Sequence, residues 1–198
     1  MKTFVDTKNF NGAILVAQKG KILYNKAFGM ANQDFGILNK PGTKFHIASV
    51  SKNFTAAAIL LLEQRNLLKV TDTISKYVPG LPYGDKITIH QLLTHTSGIP
   101  NINNMPEYDT IALFPQTPGS LINVFKNKPL DFTPGAKYSY SNSNYNVLAC
   151  IIEKVSQINY GDFLAENIFN PLAMQNTAHR KKAAMTITNN STGYQADR

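Results

Sequence analysis

Four consecutive residues, Ser49-Val50-Ser51-Lys52, place a hydroxyl three positions ahead of an amine at the head of the most apolar helix candidate in the chain. Residues three apart share a helix face, so Ser49 and Lys52 are brought together if a helix begins here. A serine hydroxyl is a weak nucleophile until a neighbouring base takes its proton, and a neutral lysine is one such base. The position favours the neutral form. A cation in a first helical turn opposes the macrodipole by about 0.3–1 kcal/mol, and desolvation acts in the same sense. The alternative is a capped helix start with Ser49 as N-cap. A capping box, however, has Glu or Gln three residues after the cap, where this chain has lysine. Alone, such a tetrapeptide arises by chance about once in a chain of this length.

A second group, Tyr138-Ser139-Tyr140-Ser141-Asn142, lies between a Pro134-Gly135 turn and the start of a helix and strengthens the reading of Ser49. Other chemistries fail on spacing. His90 and His95 are five apart, which splits them across a helix face and does not make a zinc pair. The chain has neither a Gly-x-Ser-x-Gly elbow nor a Gly-x-x-x-x-Gly-Lys phosphate loop. His46, His90, His95 and His179 read as packing or surface residues, which leaves a Ser-His-Asp arrangement unsupported.

The elements that must position these residues follow from periodicity and turn chemistry. Gly12–Ala17 and Lys21–Phe28 are two β-prone runs around Gln18-Lys19-Gly20 and predict a hairpin. Residues 29–42 read as irregular chain with a possible short strand. The run from Phe54 to Leu62 is apolar on every face and predicts a central helix buried all round, far shorter than the about 20 residues of a membrane span. Asp72–Tyr77 suggests one helical turn, and Thr88 caps a short helix at Ile89–Leu93. A long Asn- and Pro-rich loop runs over residues 99–118. Helices are expected at Gly119–Lys126, Asn142–Ser156 and Tyr160–Phe169, with a loop after Pro171.

Composition is permissive. A chain of 198 residues with 43% hydrophobic content can bury a core in one domain or in two packed lobes. The net charge of +8 is spread over separate lysines, with Arg180-Lys181-Lys182 the one tight cluster, and reads as solvated surface with some attraction for anionic envelopes rather than a nucleic-acid footprint. A single cysteine, Cys150, excludes an internal disulfide framework and sits in an apolar stretch, as a buried structural thiol does. Met1–Asn11 has no apolar core of a secretory signal.

Three segments in order, Phe45-His46-Ile47-Ala48-Ser49-Val50-Ser51-Lys52, then Leu92-Leu93-Thr94-His95-Thr96-Ser97-Gly98-Ile99, then Phe132-Thr133-Pro134-Gly135 with Tyr140-Ser141-Asn142, resemble the serine β-lactamase and penicillin-binding protein superfamily. The branch is the class C-like one, which includes D-alanyl-D-alanine carboxypeptidases and esterases. The resemblance implies an α/β, β-lactamase-like fold: one domain over residues 1–198, with a sheet portion at 12–47 and a mainly helical lobe at 48–170. It implies Ser49 as the acylated nucleophile, Lys52 as its proton-relay partner, Tyr140 as the second member of the base pair, and Asn142 bonding Lys52 and a substrate amide. Tyr138 competes with Tyr140, but only Tyr140 has an asparagine two residues on. A tyrosine of ordinary pKa, about 10, needs a neighbouring ammonium to act as phenolate near neutral pH. Asn144 is a second copy of the asparagine, and His95 and Ser97 are expected to brace the cleft.

The same resemblance implies a third motif, Lys or His followed by Thr or Ser and Gly, on a strand beside the nucleophile. Nothing after Pro171 fits it, since Asn190-Ser191-Thr192-Gly193 lacks the basic residue. The expectation is a chain without the C-terminal strands of the sheet, leaving the hairpin with unpaired edges and the cleft open on one side. No cofactor, metal or nucleic acid is implied. The implied partner is a small molecule or a peptidoglycan peptide, met in the periplasm or outside the cell.

Overall fold

The structure, a computed structural model, describes residues 10–180 and 187–194. The chain divides into two compact units, Met1–Ala48 with Thr186–Arg198, and Ser49–Met185.

The second unit is helical and is built around its longest helix. Among the described residues, six α-helices follow one another in it: α1 (Lys52–Gln64), α2 (Ile89–Leu93), α3 (Tyr108–Ile111), α4 (Pro118–Phe125), α5 (Asn142–Ser156) and α6 (Tyr160–Leu164). In α5 the residues Asn144, Val147, Leu148, Ile151 and Ile152 recur at helical spacing and are all fully buried. That stripe packs α5 against α1, α2, α4 and α6. The last turn of α5 ends on Gln157 in the left-handed region, φ +59°, a position usually given to glycine. Thr88 and Gln91 close a capping box on α2, and Thr117 and Ser120 close another on α4, with Pro118 in its first turn. A hydrogen bond of 2.6 Å between Thr55 and Tyr160 ties α1 to α6.

The first unit is made of short antiparallel pairs. Strands β1 (Gly12–Gln18) and β2 (Lys21–Phe28) form the expected hairpin, with a bulge between Val16 and Ala17. Strands β3 (Met30–Asn32) and β4 (Ile37–Leu38) form a second small pair in the stretch read as irregular chain with one short strand. Each sheet has two strands among the described residues. Residues 187–194 lie in the same unit: Asn190 bridges Lys44, and the Thr192 amide donates to the Ala31 carbonyl at 2.7 Å.

Four expectations are corrected. Helix α1 is not buried all round. Thr55, Ala58, Ile59 and Leu62 form its buried stripe against α5 and α6, while Leu60, on the far side, is 53% exposed. The loop over residues 99–118 holds a 3₁₀ turn at Ile102–Asn104 and helix α3. Helix α4 starts at Pro118, because a proline is favoured in a first turn that needs no amide there, and ends at Phe125 rather than Lys126. The helix expected over Tyr160–Phe169 is α-helical to Leu164 and then widens into a π-turn at Ala165–Phe169, with Ile168 and Phe169 buried. Among the described residues, no helix is long and apolar enough to cross a membrane.

Candidate active site

Ser49 lies in a 3₁₀ turn, Ala48–Ser51, that runs into α1 at Lys52. Three residues per turn stack positions i and i+3 above one another, so this turn sets the lysine side chain directly beside the hydroxyl. The Lys52 Nζ donates to Ser49 Oγ at 3.2 Å and to Asn142 Oδ1 at 2.7 Å. Ala48, immediately before the serine, has φ +44°, a conformation an L-residue adopts only under constraint.

Tyr140 reaches the same hydroxyl from the loop before α5, its OH 2.7 Å from Ser49 Oγ. The rings of Tyr140 and Tyr145 lie 5.0 and 5.4 Å from Lys52 Nζ, so the amine is held by two oxygen acceptors and two aromatic faces. Those partners suit an ammonium. Burial pushes the Tyr140 phenol up. Hydrogen bonding to Lys52 and Ser49, with the positive charge of Lys52, outweighs burial and leaves the phenol below its ordinary pKa. The lowered pKa makes the Tyr140 phenolate more accessible near neutral pH than that of an ordinary tyrosine.

His95 is a buried positioning element between two tyrosines. Its ring lies 4.5 Å from that of Tyr140 and 5.2 Å from that of Tyr145, tilted by 34° and 35°. Its Nδ1 accepts the Ser141 backbone N–H at 3.2 Å, which places the proton of the neutral imidazole on Nε2. Burial first, and the charge of Lys52 second, hold this imidazole below its ordinary pKa. Tyr145 behaves oppositely to Tyr140: burial, then the charge of Tyr140, push its phenol up, and its OH donates to the Leu93 carbonyl at 3.2 Å. Tyr138 is 67% exposed and meets only the edge of His95 among these groups, so it is Tyr140 that touches the serine.

The two loops that carry His95 and Tyr140 are stitched by backbone. Gly135 N–H donates to the Thr96 carbonyl at 2.7 Å, Asp131 N–H to the Gly98 carbonyl at 2.9 Å, and Ser139 N–H to the His95 carbonyl at 2.9 Å. Gly98 has φ +80°, and a Cβ there would fall 2.2 Å from the Phe132 carbonyl oxygen. Ser97 Oγ donates to Asn144 Oδ1 at 2.7 Å and accepts the Ile99 N–H at 3.0 Å, all buried. Asn144 is therefore a brace rather than a second copy of Asn142.

Asn101 and Asn103 were not singled out by their sequence context. Ser141 is the N-cap of α5 by position, yet its side chain makes no cap bond, and its buried Oγ has no partner among the described residues. The cap comes from across the fold: Asn101 Oδ1 accepts the Asn142 N–H at 3.0 Å. Asn103 Oδ1 accepts the Asn142 side-chain amide at 2.6 Å. The Ile102 N–H to Ser143 Oγ bond, 2.9 Å, and the Ser143 Oγ to Pro100 carbonyl bond, 2.7 Å, complete the seam. The one available signal was an asparagine-rich stretch just after Ser97-Gly98.

The Beta-lactamase family model matches residues 1–198. The chain belongs to the beta-lactamase family. A penicillin-binding protein of Bacillus subtilis (strain 168) is 35% identical over 202 residues, covering 99% of this chain and 44% of its own length. The crystal structure of a penicillin-binding protein from Bacillus halodurans superposes with a TM-score of 0.89 at 26% identity, over 98% of this chain and 59% of that one. A class C beta-lactamase in complex with cefoxitin superposes with a TM-score of 0.81 at 24% identity, over 98% of this chain and 52% of that one, a likeness of fold. The α/β, β-lactamase-like fold is thus the fold of this chain, and its family is one of serine hydrolases. The chain spans less than half the length of the curated relatives it matches first.

Proposed function

We propose that the chain forms an acyl-enzyme at Ser49 with a β-lactam, a D-amino-acid peptide or an ester. The observation that carries the reading is the 2.7 Å approach of Tyr140 OH to Ser49 Oγ, with Lys52 bonded to both Ser49 and Asn142. In this reading Tyr140, as phenolate beside the Lys52 ammonium, takes the Ser49 proton while Oγ attacks the carbonyl carbon. The proton then passes to the departing nitrogen or oxygen, the carbon–heteroatom bond breaks, and water later releases the acyl group by the reverse sequence. Asn142 holds Lys52 in place through its Oδ1 and faces the substrate amide. The partner is a small molecule or peptidoglycan peptide, and the site of action is periplasmic or extracellular. Family membership and likeness to penicillin-binding relatives support this reading.

Labelling with a fluorescent penicillin tests it. Covalent label on the protein and none on Ser49→Ala is the expected result, and equal labelling of both ends the assignment. A second reading, acylation without turnover by a penicillin- or peptidoglycan-binding module, draws on a Ser49 that is exposed. The decay of the label separates the two: an enzyme loses it within minutes to hours, and a binding module keeps it.

A further inference from the structure

Asn142 has one side-chain amide and two neighbours that settle its orientation. Lysine is a donor only, so the group facing Lys52 Nζ at 2.7 Å has to be Oδ1. That leaves Nδ2 pointing the other way, where Asn103 Oδ1 accepts from it at 2.6 Å. Asn103 sits in the 3₁₀ turn Ile102–Asn104 with its side chain exposed, and the turn is pinned to the start of α5 through Asn101 and Ser143. The acceptor is therefore fixed to the same helix end as the amide it receives.

We infer that Asn103 is a positioning residue for the acylation step, which acts by locking the Asn142 amide with its oxygen toward Lys52. The inference rests on the reading of Ser49, Lys52 and Tyr140 given above. Without the Asn103 acceptor, the Asn142 amide is free to turn and to present Nδ2 to Lys52, donor against donor. The ammonium then loses the shorter of its two hydrogen bonds and moves away from Ser49 and Tyr140. Tyr140 in turn loses the neighbouring charge that favours its phenolate. The lock also has a consequence for substrate. Asn103 engages one of the two Nδ2 hydrogens and so fixes the direction in which the other is presented to a substrate carbonyl.

The test compares Asn103→Leu, which keeps the bulk and removes the acceptor, with Asn103→Asp, which keeps an acceptor. Two quantities are read: the rate of labelling by a fluorescent penicillin, and the titration midpoint of Tyr140. The midpoint is taken from phenolate absorbance as the difference between each protein and its Tyr140→Phe counterpart, and it needs no turnover. Asn103→Leu is expected to slow labelling about tenfold, the effect of losing one ordinary hydrogen bond. It is also expected to raise the Tyr140 midpoint and leave the melting temperature unchanged, because the residue is exposed. Asn103→Asp restores most of the rate. A wild-type rate and midpoint in Asn103→Leu overturn the inference, and so does an equal loss of rate in both variants with the Tyr140 midpoint unmoved. The underlying reading fails by a different result, wild-type labelling of Tyr140→Phe. Loss in Tyr140→Phe with no effect of Asn103→Leu sinks the inference alone.

Discussion

The helical unit and the strand unit treat their apolar residues in opposite ways. In the helical unit Ile59, Leu62, Leu92, Leu148 and Ile151 are each 0% exposed. In the hairpin, Leu15, Val16, Ile22 and Leu23 are 47–60% exposed. An unbroken apolar run such as Ala13–Ala17 is the pattern of a strand covered on both faces, and a two-stranded hairpin has no layer of its own to cover it. Helices α1, α2, α4 and α6 instead turn their buried residues toward α5. Ser49, Lys52, Tyr140 and Asn142 all belong to the helical unit. Their geometry depends on helix packing and on two stitched loops, and the strands play no part in any of their hydrogen bonds described above.

The largest effects expected are therefore chemical and confined to the helical unit. Ser49→Ala abolishes labelling, and Tyr140→Phe slows acylation about a hundredfold or more, the range of general-base loss, as followed by stopped-flow or gel fluorescence. Tyr138→Phe, two residues away, leaves the rate close to wild type, and the reverse order would shift the tyrosine assignment by two positions. Next come the cores. Ile151→Ala costs about 2–5 kcal/mol in urea denaturation, whereas Leu15→Ala in the hairpin stays within about 0.5 kcal/mol, because one removes buried methylenes and the other does not. Equal losses would mean that the hairpin is covered in solution.

A smaller effect depends on pH. The Asp72 carboxylate accepts from Tyr77 OH at 2.5 Å, from the Lys69 N–H at 2.9 Å and from Lys76 Nζ at 3.0 Å. The Tyr77 bond above all, then the Lys69 N–H, lower its pKa from 3.8 to about 2. A depressed carboxylate pKa stabilises the fold above the unfolded value and ceases to do so as pH falls through the folded one. Asp72→Asn therefore lowers the urea midpoint at neutral pH, and the gap to wild type closes between pH 3.8 and about 2. A gap that is constant with pH would assign the loss to packing. The smallest effect has the opposite sign. Ser141→Ala removes a buried hydroxyl with no partner among the described residues and leaves stability unchanged or raised by about 1 kcal/mol; a clear loss would mean that the hydroxyl is bonded.

Local order was the legible part. Helix α5 is read to the residue, Asn142–Ser156, because its stripe is regular and its start follows a turn. The cap at Thr88 is legible for the same kind of reason, a side chain acting on its own neighbours. The Ser49–Lys52 pair is also local, three residues apart. What periodicity could not show is anything closed over distance. Tyr140 meets Ser49 across 91 residues, and that contact was expected only through resemblance to a known family. The Asn101 and Asn103 bonds span 41 and 39 residues with no pattern to mark them. Helix α3 and the 3₁₀ turn before it are too short to show a period against their Asn and Pro neighbours. The π-turn after Leu164, in which Ile168 and Phe169 are buried, has no marker in the local sequence.

The crossing at Gly98 decides where this sequence can drift. The loop that carries Tyr140 is aligned by carbonyls and amides of residues 95, 96, 98, 131, 135 and 139, atoms that every residue type except proline supplies. Ala136 and Lys137, both exposed between those anchors, can be exchanged over generations without disturbing the tyrosine. Gly98 cannot, because the Phe132 carbonyl occupies the place of any side chain. Divergence in this lineage is therefore expected to be rapid along the rim of the loop and arrested at one atom-sized point beneath it.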